Sequence, residues 1–513
     1  MQGASHLLLP TLTPPPDPRP HNAMRPSHSR PRRSGTTSRA VLISALALLS
    51  IAACSGDPPS QEGSAGSEGV WLTLESGWLL DVEAGERIPN PGIVVSPDGR
   101  IEALGAPANH VPDGAAVTAI LLDDDQTVMP GLIDLHAHHN MNLTGEGRVE
   151  ETRYNPLVFL ANGVTTTFPA GEYEPELLLT LRDRLEAGAW DGPRLIPSGP
   201  YYGRTRPDWD PEMTAEEVRE DVDYWVSRGV THFKAKGAAP EHIEPLIQRV
   251  HEHGGTVTGH LDSGGRGSTN SADAIAMGID RVEHILGGPV LDPEEGAYPV
   301  WNQVDTTDAA FREVVELFLD NDVYFNATIT APIYLTELEE GFDYWEDEPG
   351  FFTPYVQELV AQREARTRRD LMSELYQAMK RTTLAFYNAG GGHLITMGTD
   401  NPSQGEFLGG FSAHRELHAF TLAGIPTASA LRFGTINGAR ALGMDDEIGS
   451  IAAGKWADMV VIRGDPLQDI RNTRNVETVI LEGTLYDPDE LLERARGQIG
   501  PTGPEEHDDW YIW

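Results

Sequence analysis

The period of hydrophobic positions changes several times along this chain. Residues 1–39 show no apolar period and are rich in Pro, Ser and Arg. Residues 40–53 form a largely apolar run, with Ser44 and Ser50 in it, that leads to Cys54. From Val70 to about Thr127, short apolar runs alternate with polar positions and break at turns. Examples are Val70–Leu74, Gly92–Val95, the turn Pro97–Gly99, and Ile101–Leu104. A period of two predicts antiparallel strands. It returns at Met459–Ile462 and Val476–Leu481. Strand-rich segments at the two ends predict one β-sandwich composed of residues 69–127 and 444–486.

The middle of the chain, residues 128–443, has another rhythm. Short apolar strands recur, each followed by a stretch of helical period. The strands are Met129–His136, Val164–Phe168, Arg194–Ser198, Thr231–Lys236, Thr256–His260, Arg281–His284, Val323–Thr328 and Leu394–Gly398. Helices are expected at Ala215–Arg228, Glu241–His253 and Ser271–Met277. Alternation of this kind predicts parallel βαβ units, and eight of them predict an α/β fold of the (β/α)8 barrel type. The tail, residues 487–513, is acidic, with a helical pattern at Glu490–Arg496 and aromatics at Trp510–Trp513. Those aromatics either dock on the body or join copies of the chain; the sequence leaves both open.

Composition narrows the partners. The chain of 513 residues has a formal net charge of -40, with 78 acidic side chains against 38 basic ones. Phosphate neutralisation needs Lys and Arg, so a nucleic-acid partner is not expected. Docking on anionic lipid through a basic face is disfavoured too. The basic residues are nearly all Arg, the lysines being Lys234, Lys236, Lys380 and Lys455. Cys54 is the single cysteine, so no intrachain disulfide forms.

The apolar run 40–53 follows Arg25, Arg30, Arg32, Arg33 and Arg39. It is too short to span a membrane as a mature helix and reads as a signal peptide within residues 1–54. Ile51–Cys54 resembles the bacterial lipobox, in which the Cys thiol is lipidated and becomes the first mature residue. Ser55 resembles the outer-membrane sorting pattern. The expectation is an exported lipoprotein facing the periplasm, touching the membrane only through its lipid. Met24 would then be the true start, and 55–68 a flexible tether.

Barrels of this type keep their chemistry at the C-terminal strand ends. There the sequence places Asp134–His138 on strand one, Lys234 on strand four, His260 on strand five, His284 on strand six and Asp400 after strand eight. His and carboxylate ligate Zn2+ and similar ions. Alternate strand residues point the same way, so His136 and His138 can chelate one ion from one strand end. His232, Lys234 and Lys236 also share a face, and spacing does not choose between the lysines. His139 points away by the same alternation. His251 and His253 lie late in a polar helix. His414–Glu416 begin the helix after strand eight and are expected to serve packing. The loop Pro200–Arg206 faces the mouth and is either a substrate-binding element, through Tyr202 or Arg204, or an ordinary aromatic loop. The acidic-aromatic stretch Glu337–Glu348 is either a lid or a solvated loop.

Val128–His138 resembles the signature of the amidohydrolase superfamily, in its imidazolonepropionase-like and prolidase- or dipeptidase-like branch. Matching pieces are Gly229–Lys234, Val257–His260, Asp280–His284, Gly398–Asp400, Thr435–Leu442, Gly449–Asp458 and Gly464–Pro466. The resemblance covers about residues 70–486. It implies a binuclear site of two divalent ions, Zn2+ first and Mn2+ or Fe2+ as alternatives. His136, His138 and Asp400 would hold one ion, and His260 and His284 the other. Lys234, carboxylated by CO2, would bridge them, with Asp400 as general base. The implied reaction is hydrolysis of an amide C–N bond in a small substrate, a dipeptide or cyclic amide. Two alternatives stand beside it: a mononuclear deaminase- or lyase-type enzyme, with His284 contacting substrate, and a non-catalytic surface lipoprotein.

Overall fold

The computed structural model describes residues 69–143, 147–333, 347–362, 369–402 and 407–506. The predicted signal peptide, Cys54, the tether, most of Glu337–Glu348 and Trp510–Trp513 lie outside the described residues.

The two strand-rich ends join in one eight-stranded sheet. Val70–Asp81 pairs with Glu86–Pro89 and Ile93–Val95 on one side and with Ala116–Pro130 on the other. Met459–Arg463 then pairs with Gln126–Pro130, carrying the C-terminal strands onto the same sheet. The long pairing of Val70–Asp81 with Ala116–Pro130 is parallel, unlike the antiparallel expectation. Alternation puts Leu72, Leu74, Ile93, Val95, Val128, Met459, Val461 and Ile480 into one buried cluster.

The barrel strands follow in sequence order: Leu132–Ala137, Val164–Pro169 and Arg194–Leu195, then Tyr201–Tyr202, His232–Lys236, Thr256–His260, Arg281–Glu283, Tyr324–Asn326 and Ile395–Thr396. Every pairing among them is parallel. The last strand hydrogen-bonds back to the first, through Leu135 N to Met397 O (3.1 Å) and Asp400 N to His136 O (2.8 Å). The third strand is interrupted. Its first half pairs with strand two and its second half, Tyr201–Tyr202, with strand four.

The expected first strand, Met129–His136, is divided at Gly131, where the chain leaves the sheet and enters the barrel. A Cβ on Gly131 would stand 2.0 Å from Thr165 Oγ1, so only glycine allows the crossing. The predicted helices form at Ala215–Ser227, Pro240–Glu252 and Ser271–Ala276. The first has a capping box: Thr214 Oγ1 accepts from Glu217 N (3.3 Å) and Glu217 Oε2 from Thr214 N (2.7 Å).

The tail docks on the body. The helix Pro488–Ala495 and Ile499 bury Leu491, Ala495 and Ile499 against Leu157, Leu160, Met141 and Val149. Gly500 N donates to Glu151 Oε2 at 2.8 Å. This clamps the hairpin Asn140–Leu143/Gly147–Glu150, which follows directly on the His136–His138 motif.

Candidate active site

Strand one ends with His136 and His138 both turned inward and nearly inaccessible. Asp400 meets them from the end of strand eight: its Oδ1 lies 2.9 Å from His138 Nε2 and 3.4 Å from His136 Nε2. Asp134, two residues before His136, fixes this meeting. Its carboxylate accepts from His136 N (3.0 Å), Thr399 N (3.1 Å) and Thr399 Oγ1 (2.7 Å), tying strand eight to strand one beside Asp400. Burial pushes Asp134 up to about 6.

Strand four carries three inward side chains in three layers. His232 lies deepest, its Nδ1 2.8 Å from Thr256 Oγ1. Lys234 sits in the middle, fully buried, paired with Glu283 of strand six. Lys236 is level with His260 in the strand register and partly buried. Burial, reinforced by Lys236, holds the Lys234 amine well below the ordinary lysine range.

Glu283 and His284 are consecutive, yet both face the site. The backbone explains this: His284 has φ 67°, so the strand's alternation breaks at that residue. Glu283 Oε1 accepts from Thr258 Oγ1 at 2.8 Å, and Oε2 lies 3.4 Å from His136 Nδ1. His284 Nδ1 is 2.6 Å from the hydroxyl of Thr328, itself at φ 40°. Asp400 has φ 56°. Left-handed backbone at three non-glycine residues around one cavity is strain of the kind that functional sites hold. The His260 ring stands 4.4 Å from that of His284, and Tyr298 places its hydroxyl 3.4 Å from His260 Nε2.

The donor set fits a divalent metal. Ligand atoms of His136, His138 and Asp400 lie within 4.8 Å of one another, as do those of His136, Glu283 and His284. Among the described residues, His138 Nδ1, His260 Nδ1 and His284 Nε2 are buried without a hydrogen-bond partner. Burial keeps all four imidazoles neutral, with His284 down at about 3. Burial would raise the Asp400 carboxyl, but the His138 hydrogen bond and the charge of Lys236 hold it below its usual range. Neutral imidazoles and an anionic carboxylate are what a hard-to-borderline cation requires.

The structure thus gathers His136, His138, Lys234, His260, His284 and Asp400, the groups expected at the strand ends, and it adds Glu283. Simple alternation hid that residue, since it predicts an outward side chain next to an inward His284. The substrate residues need correction. Tyr202 is fully buried, its ring packed against Phe233 and Trp209 in the helix layer. Tyr201 takes the inward position instead, because the break in strand three shifts the register onto Lys234. Arg204 stays near the mouth, half exposed, 3.5 Å from Asp262.

Four further histidines have structural places. His139 is buried against Phe159. His251 and His253 pair with Asp280 (2.9 Å) and Asp223 (2.7 Å). His414 Nδ1 lies 2.9 Å from Thr473 Oγ1, Arg415 pairs with Glu348, and Glu416 accepts from Ile329 N, Thr330 N and Thr330 Oγ1 at 2.7–2.8 Å. Glu416 therefore anchors the loop that begins with Thr328, the partner of His284.

The chain is similar to several known proteins. An imidazolonepropionase of Sphingopyxis alaskensis is 25% identical over 415 residues, covering 77% of this chain and 94% of that protein. The crystal structure of a candidate prolidase from Bifidobacterium longum matches with TM-score 0.59 and 25% identity, over 83% of this chain and 99% of its own. A Xaa-Pro dipeptidase with bound methionine in its active site matches with TM-score 0.60 and 22% identity, over 81% and 100%. The family model for amidohydrolases matches residues 127–333 and 354–486, a span holding every histidine, lysine and carboxylate of the site, and the chain belongs to the amidohydrolase family.

Proposed function

We propose that this protein is a metal-dependent hydrolase that cleaves an amide C–N bond in a small substrate, a dipeptide or cyclic amide. The convergence of His136, His138 and Asp400 within 4.8 Å carries this reading. Those three residues would hold one divalent ion and His260 and His284 a second, with carboxylated Lys234 between them; zinc suits such donors best. Bound there, the ions supply Lewis acidity and a water acidic enough to ionise near neutral pH.

The chain's own groups supply the rest. Asp400 Oδ1, hydrogen-bonded to His138, is ionised and placed to accept the proton of the attacking water and return it to the leaving nitrogen. Glu283 and Thr258 fix the floor beneath Lys234. The depressed pKa of Lys234 supports its carboxylation, since a neutral amine is what adds to CO2. The N–C bond forms and the nitrogen releases one proton.

A mononuclear centre is favoured by one observation, the pairing of Lys234 with Glu283, which gives the lysine a partner without CO2. Metal stoichiometry after reconstitution with and without bicarbonate separates the readings. Two equivalents that require bicarbonate support the binuclear form; one equivalent indifferent to it supports the mononuclear form. Screening metal-loaded protein against dipeptide and lactam libraries, with Asp400→Asn as the blank, tests hydrolysis itself. Failure to bind metal at all would end the hydrolase reading.

We also propose that the chain is exported and held at the outer membrane by lipid on Cys54. The support is the apolar run 40–53 ending in the single cysteine. Wild type should take up labelled palmitate in a bacterial host and Cys54→Ser should not.

A further inference from the structure

Arg281 is buried in the barrel core, on strand six two residues before Glu283 and on the same face. Strand pairing sets it level with Thr258 of strand five, and sets Thr258 level with Lys234 of strand four. All four side chains are nearly inaccessible. The guanidinium lies 4.9 Å from the centre of the Phe168 ring. Its Nε donates to Thr258 Oγ1 at 3.2 Å, and its Nη2 has no hydrogen-bond partner among the described residues. A buried cation with so few partners is costly unless an anion answers it. Thr258 passes the contact on, its hydroxyl donating to Glu283 Oε1 at 2.8 Å.

Chemistry fixes the direction of this chain of hydrogen bonds. A guanidinium donates and never accepts, so Thr258 accepts from Arg281. The single hydroxyl proton of Thr258 is then given to Glu283, and Oε1 is an acceptor. The other oxygen faces two groups assigned to metal. Oε2 contacts Lys234 Nζ and lies 3.4 Å from His136 Nδ1, a nitrogen with no other partner among the described residues. His136 turns its second nitrogen, Nε2, towards Asp400 at 3.4 Å. An imidazole that gives its Nδ1 proton to a carboxylate keeps Nε2 bare, which is the form that ligates a metal.

We propose that Arg281, Thr258 and Glu283 form a buried positioning relay that locks His136 with its proton on Nδ1 and its Nε2 open towards Asp400. The same carboxylate holds the nitrogen of Lys234. Arg281 acts through two other side chains and sets the polarity of the whole relay. The proposal rests on the metal-centre reading above for its use, and on this chain's own donors and acceptors for its direction.

That direction makes an uncommon prediction. In Glu283→Gln the amide oxygen has to stay on Thr258, so the amide NH2 turns to His136 and drives its proton onto Nε2. Removing the Thr258 hydroxyl as well frees the amide to flip, and a second loss then repairs the first.

Two measurements test this. Proton–nitrogen correlation spectra of the imidazoles in metal-free protein report the His136 tautomer, its signals identified by their loss in His136→Gln. Wild type should carry the proton on Nδ1, Glu283→Gln on Nε2, and Thr258→Val/Glu283→Gln on Nδ1 again. Release of Zn2+ to a chelator should be about 10–100-fold faster in Glu283→Gln than in wild type, the usual effect of losing a partner behind a metal ligand. It should slow again in the double variant. Arg281→Met should release Zn2+ faster than Arg281→Lys, whose ammonium still donates to Thr258. A wild-type proton on Nε2 overturns the relay, as does a Glu283→Gln protein with wild-type tautomer and release. A double variant that releases Zn2+ as fast as Glu283→Gln overturns it too. A wild type that binds no Zn2+ but shows the three expected tautomers keeps the relay and loses the metal-centre reading.

Discussion

Asp134 shows how one side chain sets the geometry of several others. It touches no position assigned to metal with its own ligand atoms, yet it accepts from the backbone of His136 and from both donors of Thr399. Partners one step behind a metal ligand commonly change metal affinity about 10–100-fold when lost. Asp134→Ala should therefore speed metal loss to a chelator by about that factor with circular dichroism unchanged; an unaltered rate would contradict the clamp. His414 tests the electrostatics of burial. Burial is the main cause that depresses it to about 3, against 6.5 for an exposed histidine. A depressed imidazole leaves the folded state neutral while the unfolded chain takes up a proton. Its contribution is present above pH 6.5 and is lost as pH falls towards 3, with a slope of up to about 1.4 kcal/mol per pH unit. Urea midpoints measured across that window should fall less steeply in His414→Gln than in wild type.

At the scale of elements, the C-terminal tail serves the mouth. Ile499 is fully buried in the cluster that contains Met141 and Val149, on either strand of the hairpin that carries Arg148. Ile499→Ala should cost about 2–5 kcal/mol in denaturant unfolding, the usual range for a large-to-small change in a packed core. A cost under about 1 kcal/mol would mean that the tail is not part of the folded body. Helices and most barrel strands were legible from their periods, because each element repeats its apolar face locally. The break at Gly131, the division of strand three and the parallel pairing of Val70–Asp81 with Ala116–Pro130 were not. Each depends on a partner distant in sequence, such as Thr165 beside Gly131.

Across the whole molecule, sheet and barrel share one core. Leu80, Val460 and Ile462 come from the sheet strands and belong to the same buried cluster as Phe233, Val257 and Phe325 of the barrel. Arg194 of the third barrel strand adds a bridge, 2.9 Å from Asp458 beside the sheet. Val460→Ala should therefore lower a single calorimetric transition for the entire chain. Two separate transitions, only one of them shifted, would show that the sheet unfolds alone.

The chain's periodicities by themselves determined the barrel strands and the strand-rich ends, and its His, Asp and Lys placements put six candidate groups at the strand ends. Local patterning encodes which face each strand turns inward, and strand order carries those faces to one mouth. Tertiary structure alone decided which lysine lies deep and which lies at the rim, since Lys234 and Lys236 share one face and differ only in depth. It also brought Glu283 into the site and turned Tyr201 rather than Tyr202 towards it. Those outcomes rest on a positive φ at His284 and an interrupted strand, backbone departures set by packing that no periodic reading of side chains contains.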